Sequence, residues 1–347
     1  MVQSLCRVKK GAQHVIILVI FVVSIINTAV LHFFVAQNQS VENDKRPGVI
    51  VLGMHRSGTS MLSGVLVEGF GYETGGPLLA PQSDNEKGFY ERMDVAYQND
   101  AFFKSQGIGW HYNIIYYDSE KVLSDKMQGK IDFGNGTQAL QFLNNKTQTL
   151  PYLQKDPRMC ITLPTWLKLL DEEPAVVFTY RHPLEVALSL KKRDHFSLEH
   201  GLKLWIIYNM RAIQSSIGLC RVFTTNVRIL KDPIKEVQRI KDQLTDRCNV
   251  IPPAKRLITQ SVVDSFIDPD LQHNSKERKN DEKTSPVLKD FGDGCIAKEF
   301  ESDHEEGTFK FKTEREMYML AMQIFCDLEK GKAYEEGYRW PELRRVK

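Results

Sequence analysis

Val49-Ile50-Val51-Leu52-Gly53-Met54-His55-Arg56-Ser57-Gly58-Thr59-Ser60 is the stretch on which the fold turns. Its first four residues form a continuous apolar, mostly β-branched run with no polar face, the mark of a strand covered on both sides. Two glycines then bracket a short turn, and Thr59 to Val67 reads as a helix. The same order recurs downstream. Ala175 to Tyr180 is strand-like, Arg181-His182-Pro183 turns, and Glu185 to Lys192 is helical. Pro183 fits a helix start, where the missing N–H would go unpaired anyway. Leu198 to Ile217 carries Leu198, Leu202, Trp205, Ala212 and Ile213 at helical spacing. Val227 to Leu230 reads as a further strand, Ile234 to Leu244 as a helix behind Asp232-Pro233, and Glu314 to Glu329 as a last amphipathic helix. Buried strands alternating with helices predict an α/β fold of three layers around a central parallel sheet.

The bulk numbers set the frame. The 347 residues hold 46 basic and 44 acidic side chains, a net charge of +2. That balance argues against a polyanion-binding surface over the whole molecule, and no nucleic-acid partner is expected. The N-terminus has a direction: Arg7, Lys9 and Lys10 precede an uncharged apolar run over residues 15–36. Such a run reaches roughly 30 Å as a helix, enough to cross a bilayer core. Its basic flank predicts a cytoplasmic tail (1–14), a single signal-anchor (15–36), a short stem (37–46) and a lumenal domain (47–347). A cleaved signal peptide ending near Ala36 is the competing reading, but its apolar core is ordinarily only about 7–15 residues. Asn38, Asn135 and Asn145 each begin an N-x-S/T sequon beyond the anchor. Beyond it also lie Cys160, Cys220, Cys248, Cys295 and Cys326, an odd number, so at least one thiol is left over. Cys160 is expected to be that thiol, and Cys220–Cys248 is one plausible bridge. No cysteine–histidine cluster has metal-site spacing, and no metal is expected. Residues 264–309 are polar and read as an irregular insertion.

The turn itself carries chemistry. Gly53 to Gly58 has the G-x-x-x-x-G spacing of a phosphate-cradling loop, in which backbone N–H groups and a helix start receive an oxyanion. In loops that hold nucleoside triphosphates a lysine follows the second glycine. Here Thr59 stands in that place, and a basic residue, Arg56, lies inside the loop.

At this point the chain resembles a known family. Gly53-Met54-His55-Arg56-Ser57-Gly58-Thr59-Ser60 looks like the 5′-phosphosulfate loop of sulfotransferases, closest in form to a bacterial-type branch with the reading GMHRSGTS. The resemblance implies 3′-phosphoadenosine 5′-phosphosulfate (PAPS) as donor, held by His55, Arg56, Ser57, Gly58, Thr59 and Ser60. The family's 3′-phosphate pair, an arginine at a strand end and a serine eight positions on, is matched by Arg181 and Ser189. An arginine fork suits phosphate oxygens. Lys155-Asp156-Pro157-Arg158 resembles the segment whose lysine stabilises the transferring group, which assigns Lys155 and Arg56 to that work and Arg158 to support. Asp84-Asn85-Glu86-Lys87-Gly88-Phe89-Tyr90-Glu91 resembles another stretch of the bacterial-type branch. Glu91 is the first choice for the base that takes the acceptor's proton, His55 the second, and Asp94 and Glu86 follow. The likeness runs from Val49 to Leu244.

The activity so implied is sulfonyl transfer to a hydroxyl on a secretory-pathway acceptor, a glycan first, at a Golgi membrane. A P-loop kinase and a non-catalytic tethered binding protein are the alternatives. Thr59 in place of lysine speaks against the former, and the presence of Arg56, Lys155, Arg181 and Ser189 together against the latter. Trp110, Trp166 and Trp205 are expected in the core more than in a pocket.

Overall fold

Alternate residues of the first strand enter opposite cores, and this sets the architecture. In β1 (Gly48–Leu52) Ile50 and Leu52 join one apolar cluster while Val49 and Val51 join another. β3 (Ala175–Tyr180) divides the same way, Val176, Phe178 and Tyr180 against Ala175 and Val177. A strand apolar on both sides needs cover on both, and helices supply it. In the computed structural model, residues 48–82, 85–131, 133–145, 147, 150–251, 258–267, 295 and 314–341 are described. They fall within one compact unit, Arg46–Lys347.

The sheet has four parallel strands in the order β2-β1-β3-β4, with β2 spanning Tyr152–Lys155 and β4 spanning Arg221–Thr225. Val51 stands beside Lys155 on one flank and Val177 on the other. Chain order gives α1 (Thr59–Phe70), α2 (Met93–Ser105), α3 (Ser119–Met127), α4 (Gly134–Leu143), α5 (Met159–Leu167), α6 (Pro183–Asp194) and α7 (Leu198–Ser215). After β4 come α8 (Asn226–Lys231), α9 (Pro233–Cys248), α10 (Gln260–Phe266) and α11 (Glu314–Glu329). Helices α1 and α9 cover one face through Leu62, Val65, Phe70, Val237, Ile240 and Leu244. Helices α5, α6, α7 and α11 build the larger core on the other. The three-layer α/β arrangement with a parallel sheet is therefore present.

Several local expectations change. Val227 to Leu230 is helical, not a strand: the strand is the preceding Arg221–Thr225, and the Thr225 hydroxyl caps α8 by accepting from the Arg228 N–H. A threonine at the N-cap outweighs a short β-branched run. Residues 264–266, expected to be irregular, complete α10, which Thr259 caps from the Val262 N–H. The remainder of the 264–309 reading, apart from Ile267 and Cys295, lies outside the described residues, as do the tail, the anchor, the stem and Asn38. No helix among the described residues is long and apolar enough to cross a membrane. α7 stops at Ser215, two residues early, and α9 extends to Cys248.

Cys220 is bonded to Cys248, and Cys160 is a buried free thiol, both as expected. A second bridge, Cys295–Cys326, was not anticipated. Asn145 is exposed and its side-chain oxygen accepts from the Thr147 N–H at 3.0 Å. Asn135 falls in α4, and its side chain lies outside the description.

Candidate active site

The loop between β1 and α1 is built by close approach and two left-handed residues. A Cβ on Gly53 would collide with the Thr179 carbonyl oxygen of the neighbouring strand, so only glycine fits there. Arg56 has φ 68° and Gly58 φ 84°. For a non-glycine residue that conformation costs about 1–2 kcal/mol. The turn closes through the Ser57 N–H donating to the Met54 carbonyl at 3.1 Å. No side chain caps α1, whose first backbone bond runs from the Leu62 N–H to the Gly58 carbonyl. The N–H groups of its first turn are therefore left over for an anion, where the helix dipole also favours negative charge. The Ser57 hydroxyl is buried at the same place with no hydrogen-bond partner.

The second motif meets this loop. β3 ends at Tyr180 and hands over Arg181, whose Nε donates to Glu185 Oε2 at 2.7 Å and whose Nη1 points back to the Arg56 carbonyl at 3.5 Å. Arg56 in turn donates from Nε to Ser189 Oγ at 2.9 Å. Residues 125 and 133 positions apart are thus gathered at the C-terminal ends of β1 and β3. Crevices at that end of an open parallel sheet are where such folds take ligands.

Lys155 closes β2 on the other side of the loop. Its side chain is 1% exposed, and Nζ donates to Ser60 Oγ (3.0 Å), the Phe89 carbonyl (2.9 Å) and Glu91 Oε1 (2.6 Å). Glu91 Oε2 is paired with Arg158 Nη2 at 3.3 Å. Arg158 also binds Asp156 from Nε (2.9 Å) and Asp100 from Nη1 (2.9 Å). Asn99 holds Asp156 from below at 3.0 Å. Burial pushes the Glu91 carboxyl up from its ordinary range, while Lys155 and Arg158 pull the other way. A buried charge needs such partners, and here it has them.

His55 is set differently. Burial, then the charges of Arg158, Arg193, Lys155 and Arg56, hold its pKa well below the usual 6.5, so the ring is neutral. Its Nε2 is buried without a partner, and the ring packs on Trp110 (4.7 Å) and Tyr208 (5.5 Å).

All the loop residues expected to bind the donor, with Arg181, Ser189, Lys155 and Glu91, therefore share one region. Both carboxylate oxygens of Asp94 are engaged by Arg92. Glu86 is exposed in a turn and Asp84 lies outside the described residues. Trp166 and Trp205 are fully buried core residues, whereas Trp110 is only partly covered. Sequence reading missed Glu185 and Asn226. The first had a signal, the i,i+4 spacing from Arg181. Asn226, whose amide nitrogen lies where a Gly58 side chain would go, had none. Beside it, Tyr180, Phe223, Thr225, Arg228 and Tyr334 line a cleft at the ends of β3 and β4. Among the described residues no three or more His, Cys, Asp or Glu side chains gather as a metal site.

No protein-family model matches this chain, and no curated protein matches it. Solved structures do. The sulfotransferase domain of the Synechococcus PCC 7002 olefin synthase is 15% identical with a TM-score of 0.37, over 68% of this chain and 95% of that one. Sulfotransferase STF9 from Mycobacterium avium is 12% identical (TM-score 0.34; 70% and 72% covered). Retinol dehydratase in complex with androsterone and inactive cofactor PAP is 15% identical (TM-score 0.32; 88% and 85% covered). These likenesses are distant, and what the site can do follows from its own residues.

Proposed function

We propose that this chain is a sulfotransferase that takes PAPS as donor and passes its sulfonyl group to an acceptor hydroxyl. The observation that carries the proposal is the meeting of Arg56, Arg181 and Ser189 at two adjacent strand ends, around a loop with an unpartnered buried serine hydroxyl. That set fits a ligand with two anionic ends. PAPS, when bound, supplies an activated sulfonyl on a phosphate leaving group together with a 3′-phosphate.

The N–H groups of the first turn of α1, Ser57 and Arg56 are placed to receive the phosphosulfate end. Arg181 and Ser189 receive the 3′-phosphate, with Glu185 fixing the Arg181 fork by its Nε. Lys155 sits against Ser60 of the loop and supplies fixed positive charge where negative charge grows as one S–O bond breaks and another forms. Glu91, raised by burial, takes the acceptor's proton. One observation favours His55 for that step: its Nε2 is unpaired, whereas both Glu91 oxygens are ion-paired. Glu91→Gln and His55→Asn, assayed side by side, separate the two, since only loss of the base abolishes transfer while donor binding persists.

The decisive experiment follows label from radioactive PAPS into a panel of desulfated glycans and peptides. Alongside it, Arg181→Ala is expected to weaken binding of adenosine 3′,5′-bisphosphate at least about tenfold, the effect of losing one charge-assisted contact. Unchanged affinity removes Arg181 from the donor site. A glycan acceptor and a lumenal, membrane-anchored Golgi setting are part of the same proposal. The sequons, the apolar 15–36 run and the Cys220–Cys248 bridge support it, because disulfides persist in oxidising compartments. A gel shift on enzymatic deglycosylation is expected, and its absence counts against the lumenal placement.

A further inference from the structure

Asn85 reaches the donor loop from a turn that no step above uses. The turn is tied at its start, where the Asn85 N–H donates to the Gln82 carbonyl at 2.8 Å and the Gly88 N–H to the Asn85 carbonyl at 3.0 Å. At its far end the Leu79 N–H donates to the Glu91 carbonyl at 2.8 Å, and the Tyr90 ring meets Phe266 edge-on at 5.7 Å. Between the two ends the Phe89 carbonyl accepts from Lys155 Nζ at 2.9 Å. The backbone of the turn is therefore held without the Asn85 side chain. That side chain goes elsewhere: its Nδ2 donates to Ser60 Oγ at 3.1 Å. Lys155 Nζ donates to the same oxygen at 3.0 Å.

Two donors on one hydroxyl decide where its hydrogen goes. An amide nitrogen and an ammonium can only donate, so Ser60 Oγ accepts from both, and both its acceptor positions are filled. What the hydroxyl can still offer a ligand is its hydrogen. Ser60 is the second residue of α1, a helix with no side-chain cap, so this hydrogen stands among the first-turn N–H groups, which also donate. Accepting from a cation and an amide also strengthens the hydroxyl as a donor, because linked hydrogen bonds polarise one another. We propose that Asn85 is a positioning residue: together with Lys155 it fixes the Ser60 hydroxyl as a hydrogen-bond donor to the phosphate at the 5′ end of the nucleotide. Without Asn85 one acceptor position falls vacant and the hydroxyl is free to turn.

The role of Asn85 rests on the sulfotransferase reading for the identity of the nucleotide, and two ligands keep the two apart. Full-length protein in detergent is titrated with adenosine 3′,5′-bisphosphate and, separately, with adenosine 3′-monophosphate, which lacks the group that Ser60 meets. Asn85→Ala is expected to weaken the bisphosphate about fivefold and to leave the monophosphate unchanged, which also shows that the variant is folded. Asn85→Asp has nearly the same shape but can only accept, so it draws the Ser60 hydrogen back and sets a negative charge beside an anion. It is expected to weaken the bisphosphate by at least about tenfold. Ser60→Ala should cost about tenfold by itself, and adding Asn85→Ala to it should cost nothing further, because the two residues act through one hydroxyl. Indifference to Asn85→Ala, equal losses for both nucleotides, additive losses in the double variant, or parent-like binding by Asn85→Asp overturns the positioning role. Failure of the bisphosphate to bind the parent protein strikes instead at the donor reading.

Discussion

His55 is the loop residue whose environment asks most of it. Its neutral form is enforced first by burial and then by four cations, Arg158, Arg193, Lys155 and Arg56. A folded-state pKa below the unfolded 6.5 means that, as pH falls, the unfolded chain binds the proton first. Stability is therefore full above the unfolded value and declines as pH drops from there toward the folded one, by at most about 1.4 kcal/mol per pH unit. His55→Asn removes this titration. The urea midpoint of the variant should fall less than that of the parent between about pH 7 and about pH 5, whatever its absolute value. Parallel pH profiles for the two proteins would mean that His55 titrates normally in the folded chain. The same cation field that keeps His55 neutral also makes the loop receptive to an anion, so one arrangement of charge explains both properties.

At the scale of elements, the loop depends on how closely β1 runs beside β3. Gly53 lies where any Cβ would press on the Thr179 carbonyl, and its N–H is taken by the Cys160 sulfur at 3.2 Å. Backbone cannot retreat as a side chain can. Gly53→Ala is therefore expected to cost about 1–3 kcal/mol in chemical denaturation, the usual penalty of overpacking. An alanine variant as stable as the parent would show that the two strand ends can separate freely. Elements of this kind were open to sequence reading where the signal was local. Val49 to Leu52 and Ala175 to Phe178 are continuous apolar runs, and each is followed within a few residues by a glycine or proline that marks the change to helix. β2 was not legible, because Gln154 and Lys155 look like loop residues. Lys155 is buried only because Ser60, Phe89 and Glu91, all distant in sequence, satisfy its ammonium. The site divides likewise. Arg56, Arg181 and Ser189 could be named from the resemblance of their motifs to the sulfotransferase family, but that Arg56 bonds Ser189, or that Asn226 fills the space beside Gly58, follows from the order of strands and not from any motif.

Over the molecule as a whole, the two cores on either face of the sheet differ in how they are secured. The larger one gathers residues from β1 and β3 with α5, α6, α7 and α11. The smaller one rests on α1 and α9, and α9 presents only Val237, Ile240, Leu244 and Cys248 to it from an otherwise polar surface. A helix with so narrow an apolar stripe gains little from burial, and the Cys220–Cys248 bridge ties its far end to the start of β4, 28 residues back. Closing a loop of that length removes about 3–4 kcal/mol of unfolded-chain entropy in the usual model. The double variant Cys220→Ala/Cys248→Ala should accordingly lose about 2–4 kcal/mol in a urea titration. Because Arg56, Arg181 and Ser189 all lie outside the bridged segment, the variant that remains folded should keep its affinity for adenosine 3′,5′-bisphosphate. A large drop in that affinity, with little change in stability, would mean that the bridge shapes the loop around Gly58 instead of stapling α9 to the sheet.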